Sequence, residues 1–356
     1  MSSLSLAMIV KNEEDVLERC LESVKGIFDE IVIVDSGSTD KTIDIAKKYT
    51  YKIYSFEWQD DFAMARNYSF SQCTKDYIMW LDADDIVDNE NAKALLELKQ
   101  QLDNYDVIML KYNIAFDKNN NPTFSYFRER IVRRSLNLKW RDFVHEVITP
   151  TGKIFHSDIS ICHKPLPTKK ESNRNLKIYR KHIKNGVKLS ARQMYYFSRE
   201  LMYNGYFEEA IVNYEKFLNQ NDAWVENKIS ACRDLAFCYH KTGEEDKSIE
   251  SLLKAFKFDS PRAEICCDLG EKFFSSNKLI LAKYWYEKAL QCEPNIKSGA
   301  FIEAEYYDII PYLQLCVINY KLGKINEAKI YNDLVGKIDK NNKSYLYNKE
   351  FFDKLN

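Results

Sequence analysis

Apolar and polar positions along the first 165 residues alternate on two periods, that of strands and that of helices. Leu4 to Val10 is a short apolar run that stops at Lys11-Asn12-Glu13-Glu14, after which Val16, Leu17, Cys20, Leu21 and Val24 recur at helical spacing. Glu30 to Asp35 is a second run. Ser36-Gly37-Ser38-Thr39-Asp40 follows as a turn rich in helix-capping residues, and Ile43, Ile45 and Ala46 mark the next helix. A third strand is predicted over Tyr51 to Phe56, leading through Asp60-Asp61 into a helix that carries Ala63, Ala65, Arg66 and Asn67. The fourth, Tyr77 to Leu81, runs straight into Asp82-Ala83-Asp84-Asp85, with a helix beginning near Asn89. Strands separated by helices predict a parallel, right-handed α/β sheet whose ligand crevice lies at the strand C-termini.

Past this point a strand is predicted over Val107 to Lys111, then a polar loop over residues 117–122. Ser125 to Arg134 reads as a strand whose arginines form a solvated face. Trp140 to Ile148 reads as another, with His145 and Glu146 on opposite faces, and a terminal strand beginning at Ile159 carries His163 near its end. Residues 165–172 break the strand pattern, and from Asn173 onward the period is helical. Here the chain repeats itself. A turn followed by a small residue recurs at Ala210, Ser248, Ala282 and Ala328, at spacings of 38, 34 and 46 (248−210, 282−248, 328−282). This resembles tetratricopeptide repeats of about 34 residues, two of them carrying insertions at 222–228 and 297–307. Such helix pairs bury a core only by stacking.

Composition narrows the class. With 45% hydrophobic residues but only 10 Gly and 7 Pro, the chain reads as ordered and helix-rich. The balance of 52 basic against 53 acidic residues gives no global field for nucleic acid or anionic membrane, so any anion binds locally. Nine cysteines without a CxxC pair suggest neither a zinc site nor a disulfide framework. No apolar run approaches the roughly 20 residues of a membrane span, and the N-terminus lacks a basic leader, so a cytoplasmic location is expected.

The candidate chemistry gathers where strands end. Side chains at i and i+2 of an extended segment share a face, so Asp82 and Asp84 are expected to converge on one hard cation, with Asp85 turned aside. The plain alternative is a solvated turn capping the next helix. Asp35 suits a pyrimidine N–H or a ribose hydroxyl, or else caps its own turn. Arg66 suits a phosphate, or else pairs with Asp60 or Asp61 on the surface.

Taken in order, Met8-Ile9-Val10-Lys11-Asn12-Glu13-Glu14, Ile33 to Thr42, Ala65-Arg66-Asn67 and Trp80-Leu81-Asp82-Ala83-Asp84-Asp85 resemble the family 2 glycosyltransferases of GT-A fold. The resemblance covers about residues 1–165 and implies a nucleotide-sugar donor, a divalent cation (Mg²⁺ or Mn²⁺) and inversion at the anomeric carbon. It places Asp35 at the nucleoside base, Asp82 at the ribose or the metal, and Asp84 on the metal. Val10, Asn12, Glu14, Ser36, Arg66 and Ala83 would complete the donor pocket, and His163 the metal site. Inversion needs a base on the face opposite the leaving group; Glu146 is the first candidate and Asp142 the second.

The layout is similar to peptide S-glycosyltransferases of glycopeptide bacteriocins. It implies domains over 1–165 (GT-A), 166–190 (linker or helical connection) and 191–356 (repeats). The expected reaction carries a hexose or N-acetylhexosamine from a UDP-sugar to a protein or peptide held by the repeats. The alternatives are a surface glycan or lipid acceptor, and a non-catalytic scaffold acting through the repeats. The solenoid's faces also suit pairing of two chains.

Overall fold

The computed structural model describes residues 2–116, 120, 122–166, 173–294 and 303–355. Most of the expected polar loop at 117–122, most of the break at 165–172 and much of the insertion at 297–307 lie outside the described residues. Two compact units divide the chain, Met1–Val187 and Lys188–Asn356.

The first unit is built on one sheet. β1 (Leu4–Val10), β2 (Glu30–Asp35), β3 (Ile53–Ser55) and β4 (Tyr77–Trp80) alternate with α1 (Leu17–Ser23), α2 (Thr42–Ala46) and α3 (Phe62–Gln72). After the two-residue strand β5 (Asp85–Ile86) and α4 (Asn89–Lys99) come β6 (Val107–Phe116), β7 (Pro122–Arg133) and β10 (Ile154–His163). The order is β3-β2-β1-β4-β7-β6-β10-β5. The first four strands are parallel, as the alternating pattern predicts, and β10 is parallel to β6. β7 enters antiparallel between β4 and β6, and β5 pairs antiparallel with β10. α5 (Arg174–Lys184) also belongs to this unit.

Period-two burial divides the core between the faces of the sheet. Leu4, Leu6, Met8 and Val10 join Leu17, Leu21 and Leu95 in one cluster, whereas Ala7, Val32, Val34 and Trp80 join Phe70 and Trp140 in the other. Each fully buried leucine contributes about 1.5–3 kcal/mol of transfer free energy.

Two expectations about strands are corrected. The arginines of β7 do not form a solvated face: Arg130 is fully buried, its guanidinium 3.7 Å from the Trp80 ring centre and 4.3 Å from that of Tyr112. Nor is 140–148 one strand. β8 (Trp140–Arg141) and β9 (Val147–Ile148) form a separate hairpin. Asp142 and His145 between them take left-handed φ values of 72° and 55°, which ends extended pairing and places His145 and Glu146 on a turn.

The second unit is helical: α6 (Ala191–Tyr203), α7 (Phe207–Leu218), α8 (Val225–Lys241), α9 (Glu245–Lys254), α10 (Ala263–Ser275), α11 (Leu279–Ala289), α12 (Ile309–Lys321), α13 (Ile325–Ile338) and α14 (Lys343–Asp353). Successive helices pack as hairpins, α6 on α7, α8 on α9, α10 on α11 and α12 on α13. The small residues read from the repeat, Ala210, Ser248, Ala282 and Ala328, are all fully buried where the paired helices meet. Glycine takes the left-handed position in three of the turns, and Asn277, at φ 57°, takes it between α10 and α11. Among the described residues no helix is long and apolar enough to cross a membrane.

Candidate active site

Parallel pairing of β1 with β2 sets Val10 opposite Asp35, so the loops that follow the two strands lie side by side. They are interlocked. Asn12, at φ 54°, accepts the Thr39 N–H at 2.8 Å, the Asn12 N–H reaches Ser38 Oγ at 2.9 Å, and Glu14 accepts the Lys41 N–H at 3.0 Å. Ser36 donates both its N–H and its hydroxyl to the Val10 carbonyl. Asp35, 9% exposed, accepts the N–H groups of Gly37 and Ser38 at 3.0 and 3.1 Å, which is the turn-capping arrangement.

At the end of β4 the chain turns instead of continuing extended. The Asp85 N–H donates to the Asp82 carbonyl at 3.1 Å, and the Asp82 N–H returns to the Asp85 carboxylate at 3.0 Å. The i, i+2 convergence of Asp82 with Asp84 therefore gives way to a different grouping. β10 pairs with β5 so that His163 stands opposite Asp85, and the Lys164 N–H donates to the Asp84 carbonyl. Ligand atoms of Asp84, Asp85 and His163 all fall within 4.8 Å of one another, a group able to hold a metal ion. His163 Nδ1 is 3.4 Å from Asp84 and 3.8 Å from Asp85. Burial opposes its charge, but the two carboxylates prevail and raise it to about 9.

Asp85 does not turn aside. It is the buried hub of the group, bound by Arg130 at 3.0 Å and by the Tyr112 hydroxyl at 2.8 Å. Tyr112 also lies 3.0 Å from His163 Nδ1. Burial and the Asp85 charge push its phenol far up, so it stays a neutral donor. Ala83, between the acids, is buried.

Asp82 faces another way, towards α3. Arg66 donates from Nη2 to Asp82 and from Nε to Glu146, each at 2.7 Å, while its guanidinium lies 4.8 and 4.9 Å from the ring centres of Trp80 and Trp140. Burial disfavours the Asp82 charge, yet Arg66 and Arg130 hold the carboxyl down at about 2. Arg66 is only 7% exposed and pairs with neither Asp60 nor Asp61. Next along α3, Asn67 exchanges hydrogen bonds with the Trp140 backbone, both at 2.9 Å, which fixes the start of the β8–β9 hairpin. One helix thus ties the acid at the end of β4 to the turn that carries Asp142 and Glu146.

Sequence reasoning missed Tyr112, Arg130 and the tryptophan pair. As a signal, Tyr112 offered only its place directly after the apolar run that starts at Val107. Arg130 carried none, because only the antiparallel insertion of β7 brings it beneath Trp80.

A mostly parallel sheet with an acidic turn after β4 and a histidine from the last strand defines a GT-A-like transferase domain. Residues 5–163 match the family model described as glycosyl transferase family 2, so the first unit carries a domain of that family. Over 149 residues the chain is 35% identical to a TPR repeat-containing protein, Synpcc7942_0270, of Synechococcus elongatus (strain ATCC 33912 / PCC 7942 / FACHB-805), covering 42% of this chain and 36% of the relative. Over 242 residues it is 27% identical to the SPbeta prophage-derived glycosyltransferase SunS of Bacillus subtilis (strain 168), covering 61% of this chain and 55% of the relative. The chain thus spans about a third to a half of the length of these two relatives. Among solved structures, S. aureus TarS 1-349 in complex with UDP-GlcNAc is 12% identical, with a TM-score of 0.38 over 95% of this chain and 92% of that one.

Proposed function

We propose that this chain is an inverting glycosyltransferase that moves a hexose or N-acetylhexosamine from a UDP-sugar to a protein or peptide held by the repeats. The observation that carries the reading is the meeting of Asp84, in the turn after β4, with His163, at the end of β10, from segments far apart in the chain. The donor set fits Mg²⁺ or Mn²⁺: a carboxylate oxygen and an imidazole nitrogen lie side by side, and together they would hold the ion. Asp85, whose oxygens are engaged by Tyr112, Arg130 and the Asp82 N–H, would act beside these two chiefly by fixing the group. When bound, the ion neutralises charge on the departing diphosphate.

The chain's own residues supply the rest. Glu146, with one oxygen held by Arg66, takes the proton of the acceptor hydroxyl or thiol. The acceptor atom bonds to the anomeric carbon as that carbon's bond to the diphosphate oxygen breaks, UDP leaves with the electron pair, and the configuration inverts. Asp142 is the alternative base. Asp35 and the interlocked loops would receive the nucleoside, with Val10, Asn12, Glu14, Ser36 and Ala83 shaping that pocket.

Calorimetric titration of UDP with and without Mn²⁺, in wild type and Asp84→Ala, tests the reading. Metal-dependent binding that disappears in the variant supports it. Equal binding with and without metal, or no binding of UDP to wild type, overturns it.

A further inference from the structure

The turn between β8 and β9 is held at one place by a helix that follows the last strand. Phe143 is buried and stacks on His182 of α5, ring centres 4.1 Å apart and planes within 12°, with Tyr179 of the same helix edge-on at 5.0 Å. The His182 ring is fixed in turn. Its Nε2 lies 2.9 Å from the Asp60 carbonyl, an atom that only accepts, so Nε2 carries the proton. Lys181 pairs with the Asp60 carboxylate, which also accepts from Trp58 at 2.9 Å. From the other side the Phe62 N–H, at the start of α3, donates to the Phe143 carbonyl at 2.9 Å.

Such a clamp answers a physical need. Asp142 and His145 flank Phe143-Val144 in left-handed conformations, which residues with a side chain seldom adopt. Backbone of this kind persists only where its surroundings over-determine it. Asn67 pins one end of the turn at Trp140 and Arg66 the other at Glu146, and Phe143 is anchored between them.

We propose that α5 is a positioning element of the active site: the His182–Phe143 stack holds the turn in the geometry that presents Glu146 to the acceptor. His182 is a positioning residue, not a catalytic one. This inference rests on the transferase reading for its effect on turnover, and on the fold alone for its effect on the turn.

The test uses the full chain as wild type, His182→Ala, His182→Phe and Glu146→Gln. Three quantities are read: amide hydrogen exchange over residues 141–147, Mn²⁺-dependent UDP affinity, and UDP release from UDP-glucose and UDP-GlcNAc with water as acceptor. His182→Ala should accelerate exchange in the turn and slow UDP release by on the order of 10²-fold, as a misplacement near 1 Å does. UDP affinity should stay within about twofold of wild type, a change below about 0.5 kcal/mol. His182→Phe, which keeps a flat ring against Phe143, should restore both exchange and release. Unchanged exchange in His182→Ala overturns the proposal whether or not a sugar is turned over. So does wild-type release in His182→Ala where Glu146→Gln has lost it. If Glu146→Gln itself releases UDP at the wild-type rate, the base assignment fails, while accelerated exchange in His182→Ala with rescue by His182→Phe still supports the clamp.

Discussion

Arg66 holds Glu146 through Nε at 2.7 Å, and the same guanidinium holds Asp82 through Nη2 at the same distance. The planar fork, packed against two tryptophan rings, gives each carboxylate its own donor in a fixed geometry that a single ammonium does not reproduce. One residue, 7% exposed, therefore joins the end of β4 directly to the β8–β9 turn.

Arg66→Lys keeps the charge and loses the fork. One charge-assisted bond of about 1.5–3 kcal/mol is forfeited, so UDP release should fall about 10-fold to 100-fold. Steady-state kinetics check this, with kcat expected to carry the loss. An unchanged kcat would remove Arg66 from the positioning of Glu146.

Asp84→Ala should abolish Mn²⁺ binding and metal-dependent UDP binding while leaving the far-ultraviolet circular dichroism unchanged. The side chain serves the edge group with His163 and not a core cluster. Retained metal affinity would place the ion elsewhere.

Glu30 predicts an acid limit to stability. Burial opposes its charge, but Lys52, Ser5 and both donors of Thr74 together lower it from 4.5 to about 2. Its folded value lies below its unfolded one, so its contribution is complete above about 4.5 and is lost as pH falls from there through 2. The interval corresponds to on the order of 3 kcal/mol. Urea unfolding of wild type and Glu30→Gln should show a large gap at pH 7 that narrows steadily in acid. A gap independent of pH would contradict the linkage.

Gly270 lies where α10 meets α11, and a Cβ there would sit 2.7 Å from the Tyr286 ring, itself 1% exposed. Gly270→Ala should destabilise the repeat unit by about 1–3 kcal/mol despite alanine's better helix propensity. Chemical denaturation measures it, and an unchanged or raised midpoint would mean that the ring yields.

Legibility in the sequence followed the range of the interactions. β1 and β2 begin and end at the residues where apolar runs meet polar ones, because strand limits are local. The repeat turns were visible for the same reason, even with Asn277 in a glycine's place. His163 was readable as the close of a terminal strand and as a companion of Asp84, whereas Asp85 joins the two through a pairing of β10 with β5 that no local pattern encodes. The β8–β9 turn was read as strand because its apolar composition says nothing of left-handed backbone at Asp142 and His145. His182 gave no signal at all, since stacking on Phe143 depends on where α5 comes to rest.

The place of β10 in the sheet has a consequence for biosynthesis. It lies between β6 and β5, so β5 has no neighbour in the sheet until β10 arrives. A chain emerging from the ribosome can lay down β1 to β4 early, yet the Asp84–His163 pair cannot close until residue 163 has cleared the exit tunnel. A truncated nascent product would carry the interlocked loops without the completed acid–histidine group.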